Sequence, residues 1–91
     1  MTATATTIPR IGDGFRLQWE PAQQCHVLLY PEGMVKLNQS AGEILKRCDG
    51  SRDVDAIVDD LERAFEATDL TRDVTAFISL ALERKWIELR E

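Results

Sequence analysis

The chain has 91 residues, of which 44% are hydrophobic and 30% are charged, and its formal net charge is −5. This length supports one folded domain with a modest core and is too short for two. Because a protein that grips phosphates needs a basic face, the acidic balance disfavours nucleic acid and anionic membrane as partners. No run approaches the roughly 20 apolar residues of a membrane span, and residues 1–10 lack the features of a secretion signal. We therefore predict a cytoplasmic protein.

The first part of the chain separates into a tail and two strands. Residues 1–14 are rich in Thr and Ala and show no periodicity, which predicts a flexible N-terminal tail before a single domain over residues 15–91. The runs FRLQWE (15–20) and CHVLLY (25–30) alternate as half-buried strands do. Apolar residues on both faces of the second run are expected of a middle strand.

A turn signal follows at PEG. Pro31 suits the first central position of a type I turn, and Gly33 can adopt the left-handed conformation that completes a three-residue hairpin loop with a G1 bulge. The next run, MVKL (34–37), then returns antiparallel to the second strand. The three strands form a meander, and residues 34–37 form an open edge unless another segment covers it.

Three helices are predicted next, each with an apolar stripe at helical spacing. They cover residues 39–48, 54–66 and 70–85. Asn38 and Asp53 are positioned to cap the first two, and Phe65 is assigned to the apolar stripe of the second. The third helix has an apolar arc of about 200°, more than a small core covers. The run WIEL ends the chain as a short extended piece.

No catalytic or metal-binding constellation is predicted. Cys25 and His26 are neighbours in a strand and point to opposite faces, so they cannot chelate one ion together. His26 is the single histidine, and the acidic residues of the second helix read as a solvated face. Cys25 and Cys48 are predicted to be reduced, buried thiols. These residues therefore offer no catalytic group, no metal site and no cofactor site.

The open edge is therefore the best functional surface in the sequence. An extended peptide can add a strand there through main-chain hydrogen bonds. The alternatives are coverage by the N-terminal tail or by a second copy of the chain, which would make a homodimer. A winged-helix nucleic-acid binder is a further alternative. The third helix carries Arg72, Arg84 and Lys85, but acidic side chains lie among them and offset their positive charge.

Three runs of the sequence resemble the PqqD family of pyrroloquinoline quinone biosynthesis. They are RLQWE, VLLYPEGMVKLNQSAGEILKRCDG and the hydrophobic spacing of VDAIVDDLERAF. The resemblance spans about Pro9 to Leu89 and leaves out residues 1–8. It implies an α+β, winged-helix-like fold with an N-terminal three-stranded antiparallel sheet and three helices, the shape called a RiPP recognition element.

The resemblance also implies a function and partners. Members of the family are non-catalytic peptide chaperones that bind the precursor peptide PqqA. They present it to PqqE, a radical S-adenosylmethionine enzyme that joins a Glu and a Tyr side chain within the peptide. In such elements the leader peptide lies along the third strand, in a groove that the third helix completes.

The peptide-binding residues are carried over onto the matching positions of this chain. On the strand they are Met34, Val35, Lys36 and Leu37. On the third helix we favour one border of the apolar arc, formed by Asp73, Phe77, Leu80 and Arg84. The opposite border, Leu82 with Trp86, is the competing choice and would suit PqqE or a second subunit.

Overall fold

The computed structural model describes residues 3–89, and this part of the chain forms five strands and three helices. The strands are β1 (Pro9–Ile11), β2 (Arg16–Glu20), β3 (Cys25–Tyr30), β4 (Gly33–Lys36) and β5 (Ile87–Leu89). The helices are α1 (Gln39–Lys46), α2 (Val54–Ala64) and α3 (Thr71–Glu83). The predicted α+β fold, a three-stranded antiparallel meander followed by three helices, is confirmed.

The meander has the strand order β2-β3-β4. Leu28 at its centre pairs with Leu17 on one side and Val35 on the other, and its side chain is fully buried in the core. Gly33 pairs with Tyr30 and has a φ of +154°, a value that side-chain-bearing residues rarely adopt. Gly33 therefore lies within β4, and the hairpin loop is two residues long. The predicted three-residue loop was wrong, because Gly33 pairs with Tyr30 instead of standing in the turn.

Two of the helices begin at the caps that the sequence predicts. The Asn38 side chain accepts a hydrogen bond of 2.8 Å from the Ala41 N–H, and the Asp53 side chain accepts one of 2.9 Å from the Ala56 N–H. Both bonds satisfy backbone donors that the first helical turn leaves free. The core is built from the inner faces of the helices and the meander. None of the helices in the described chain is long and apolar enough to cross a membrane.

The second helix ends earlier than its apolar pattern predicts. α2 stops at Ala64, and the Ala67 N–H donates to the Glu62 carbonyl while Glu66 takes a left-handed φ of +51°. This turn carries Phe65 away from the core, so its side chain is 46% exposed. The assignment of Phe65 to the buried stripe was therefore wrong, because the chain reverses before the stripe is complete.

The N-terminal segment contains a strand that the sequence analysis does not predict. β1 pairs antiparallel with β5 at the other end of the described chain, and the Thr7 carbonyl accepts a hydrogen bond of 2.9 Å from the Val54 N–H. Ala3 is buried as well. The flexibility of residues 1–14 stays a prediction, but the described part of that segment packs on the domain. Its strand has three residues, too few for an alternation signal.

The contact between these two terminal strands depends on a close backbone approach. The Gly12 N–H donates to the Trp86 carbonyl at 2.9 Å. A Cβ atom at position 12 would lie 2.7 Å from the Lys85 carbonyl oxygen, closer than such contacts occur. Glycine at this position therefore allows β1 to reach β5.

The two thiols differ in their surroundings, which predicts different reactivity. Cys48 is 2% exposed, and burial raises the pKa of its thiol to about 12, with the neighbouring Asp49 carboxylate adding to the effect. Cys25 is half-buried, and neither forms a disulfide. At pH 8, iodoacetamide should modify Cys25 in the native protein, whereas Cys48 should react only after unfolding, because the thiolate is the nucleophile. Peptide mapping by mass spectrometry measures both.

The same environment of Cys48 fixes the sign of a pH effect. Its folded-state pKa lies above the ordinary value, so this thiol favours the folded state below pH 9 and loses that contribution as pH rises toward 12. In the alkylation experiment described above, equal modification of both cysteines in the native protein would contradict the burial of Cys48.

Candidate functional site

The outer edge of β4 is open in the described chain, where β4 pairs with β3 alone. The Leu37 N–H donates to the His26 carbonyl at 3.0 Å, just beyond the end of the strand. Because hydrogen-bonded and non-bonded pairs alternate in an antiparallel ladder, Val35 directs its backbone groups toward β3. Met34 and Lys36 therefore direct their N–H and C=O groups outward, where an added strand can pair with them.

The side chains of this segment divide into exposed and buried positions. Met34 is 52% exposed and Lys36 is exposed, whereas Val35 packs partly buried against the core. Leu37 lies outside the strand and is buried in the core with 5% exposure. Leu37 thus anchors the end of β4, while the free edge is the backbone of Met34 and Lys36.

The four residues favoured on the third helix line up along one side of α3 and its C-cap. We call them the α3 stripe: Asp73, Phe77 and Leu80 in the helix, and Arg84 at its C-cap. Their spacing of four, three and four residues places them on one side of the helix. Leu80 is 38% exposed, and Phe77 is half-buried against the core. The stripe therefore presents apolar side chains between an exposed acid and an exposed base.

Trp86 lies beside the α3 stripe and not on the opposite border. Its ring centroid is 6.4 Å from that of Phe77, and the Arg84 guanidinium carbon lies 5.6 Å from the Trp86 ring centroid. Lys85 has a left-handed φ of +63° and turns the chain there. Helical periodicity could not place Trp86, because the residue lies beyond the end of α3.

The two carboxylates whose pKa values are lowered lie away from β4 and the α3 stripe. No three His, Cys, Asp or Glu side chains within residues 3–89 are grouped closely enough to hold a metal ion. The pKa of Asp60 is lowered because Arg47 donates a hydrogen bond to it, and that of Asp49 because Ser51 does so. Neither carboxylate belongs to β4 or to the α3 stripe. The β4 edge therefore offers main-chain hydrogen bonds, and the α3 stripe offers apolar contact and opposite charges.

A meander with one open strand edge and three packed helices defines a winged-helix-like α+β domain suited to recognising an extended chain. The family model of coenzyme PQQ synthesis protein D (PqqD) matches residues 25–87. The chain therefore belongs to the PqqD family, as its sequence motifs predict.

Relatives and a solved structure agree with this assignment. The chain is 57% identical to the PqqA binding protein of Stutzerimonas stutzeri, over 93% of this chain and 94% of the relative. It is 56% identical to that of Azotobacter vinelandii, over 94% and 95%. A solution NMR structure of the PqqD part of Methylobacterium extorquens PqqCD covers 94% of both chains with a TM-score of 0.80 and 26% identity. That structure is described as a functional, stand-alone RiPP recognition element.

Proposed function

We propose that this protein is a peptide chaperone that binds PqqA by strand addition at β4 and presents it to PqqE. The observation that carries the proposal is the outer edge of β4, which no segment within residues 3–89 pairs with, and the outward backbone groups of Met34 and Lys36. The α3 stripe supplies apolar contact and two opposite charges for the peptide's side chains. The names of the relatives and the recognition-element description of the solved structure support PqqA as the peptide.

An NMR titration tests the peptide site directly. Adding PqqA to isotope-labelled protein should shift the amide signals of residues 33–37 and 71–84 most strongly, because strand addition changes their hydrogen bonds and ring contacts. A scrambled PqqA of the same composition serves as the control. Shifts confined to α2 and the N-terminal segment would contradict binding at β4.

Presentation to PqqE requires a ternary complex. When PqqE is added to the complex with PqqA, we expect a second set of signals to broaden while the peptide stays bound. PqqE should bind this protein more weakly when PqqA is omitted, because the bound peptide then no longer contributes to the docking surface. Displacement of PqqA by PqqE before any reaction would contradict presentation.

Self-association at β4 is the alternative occupant of the same edge, and the homodimer stays a prediction. If a second copy pairs there, PqqA and the second copy compete for the backbone groups of Met34 and Lys36. Sedimentation velocity should then show dimers that dissociate when PqqA is added. Monomers at micromolar concentration without peptide would leave the edge free for PqqA alone.

A further inference from the structure

A cavity of about 270 Å³ lies next to the candidate peptide site, between α1, α3 and the α2–α3 connection. Its walls are mostly apolar, and Ile44, Leu61 and Val74 among them are buried side chains of the core. Phe65, which is 46% exposed, forms part of the lining. An apolar cavity of roughly 150 Å³ is enough to hold benzene, so this one accommodates a side chain as large as leucine or phenylalanine.

Hydrogen bonds fix the connection that forms one wall of the cavity. The Leu70 N–H donates to the Glu62 carboxylate at 3.0 Å, and the Ala67 N–H donates to the Glu62 carbonyl at 2.9 Å. Both Ala67 and Leu70 line the cavity. Because Glu62 holds this connection at two points, the cavity is formed before any ligand arrives.

The charges at the cavity indicate the chemistry of its occupant. The charged residues that line it, Glu43 and Asp73, are both acidic. Glu43 is neutralised by Arg47 at 2.8 Å, whereas Asp73 has no ion pair within the described chain. An occupant that carries a Lys or Arg next to an apolar side chain would complement both the walls and the acid at Asp73.

The cavity begins only a few residues beyond the end of β4. Lys36 ends the strand, and Gln39 and Ser40 at the start of α1 line the cavity. Gln39 is three residues beyond Lys36, and three extended residues span at most about 10 Å, so the cavity lining begins within that distance of the strand end. A peptide paired with Met34 and Lys36 therefore reaches the cavity within a few residues of the end of the added strand.

We propose that the peptide bound at β4 extends past the strand and inserts one apolar side chain into this cavity, with a neighbouring Lys or Arg beside Asp73. This inference rests on the proposed function and adds a second anchoring point to it. The Asp73 carboxylate links the two points, because it belongs to the α3 stripe and also lines the cavity.

Filling the cavity tests the apolar contact. In Ala67→Trp the new ring should occupy the cavity and lower the affinity for PqqA about tenfold, as expected for one buried apolar side chain. Ala64→Trp is the matched control, because Ala64 is exposed and does not line the cavity. With saturating PqqA, both variants should still show the amide shifts at β4. Equal affinity of the two variants would overturn the cavity proposal.

Methyl signals provide a test that needs no variant. In the wild-type protein, saturation with PqqA should shift the methyl signals of Ile44 and Val74 in the cavity wall, whereas Ile57, a core residue outside the lining, should not move. Unmoved Ile44 and Val74 methyl signals together with shifted β4 amides would overturn the cavity proposal and leave the proposed function standing. Absence of any PqqA binding to the wild-type protein would instead overturn the proposed function itself.

Charge reversal tests the electrostatic part. Asp73→Lys should weaken PqqA binding about fivefold at low salt and less at high salt, because a like charge then faces the peptide's base. Asp55→Lys, an exposed acid of α2 outside the cavity, changes the net charge equally and controls for long-range effects. Identical losses in the two variants would contradict a specific contact at Asp73.

Discussion

The Lys36→Pro variant is expected to fold normally and to bind PqqA at least tenfold more weakly than the wild-type protein. The Lys36 N–H points away from β3, so proline there removes no hydrogen bond of the native sheet. It does remove a donor that an added strand would use, and it leaves a peptide carbonyl unpaired. Calorimetric titration measures the affinity, and Lys36→Ala separates the effect of the backbone from that of the lost charge.

Proline one residue earlier should have the opposite consequence. Val35 pairs with Leu28 and directs its N–H toward β3. Val35→Pro therefore breaks the native ladder and should lower the free energy of unfolding by about 2–4 kcal/mol. Circular dichroism during thermal unfolding compares the two variants. If Lys36→Pro and Lys36→Ala bind PqqA with equal affinity, the peptide does not pair with this edge.

The second large effect concerns Gly42, which lies inside α1. Helix propensity alone predicts that Gly42→Ala stabilises the protein by about 1 kcal/mol. A Cβ atom there, however, would lie 2.8 Å from His26 Nδ1 and 3.1 Å from His26 Cβ. Because the crowding involves the base of the side chain as well as the ring, a rotation of the ring does not relieve it. We expect a net destabilisation of about 1–3 kcal/mol.

Removing the His26 side chain should reverse the sign of the stability change caused by Gly42→Ala. In a His26→Ala background, Gly42→Ala should stabilise the protein by up to about 1 kcal/mol, since only the propensity term remains. His26→Ala alone also removes an edge-to-face contact with Trp19, whose ring centroid lies 5.1 Å away. Urea unfolding of the four proteins gives the coupling energy. Stabilisation by Gly42→Ala in the wild-type background would refute the contact between α1 and β3.

Most of the fold could be predicted because its signals are local. Alternation identifies β2 and β3, and the side chains of Asn38 and Asp53 mark where two helices begin. The pairing of β1 with β5 could not be predicted. Each strand has three residues, and their pairing joins segments from opposite ends of the described chain, so neither sequence contains a sign of the other.

The candidate site was predictable in part for the same reason. The meander alone implies that β4 is an edge, and helical spacing alone aligns the α3 stripe. Trp86 and the cavity depend on chain reversals at residues with left-handed φ values, Lys85 and Glu66, which lack the glycine that would mark them. Phe65 shows the resulting error in the prediction: it is in register with a core stripe, but it lies at the surface.

In the proposed peptide complex, the pairing of β1 with β5 supports one side of the recognition surface. Two three-residue strands form the shortest ladder in the described chain, and such small units open at a lower free energy than the whole domain. Their opening would break the hydrogen bond from the Gly12 N–H to the Trp86 carbonyl. The Trp86 ring would then be free to leave Phe77 and Arg84. If the peptide contacts the α3 stripe as proposed, its affinity is linked thermodynamically to the opening of β1 and β5. Any attachment that holds β1 and β5 together would then favour the proposed peptide-binding form, and any that separates them would oppose it.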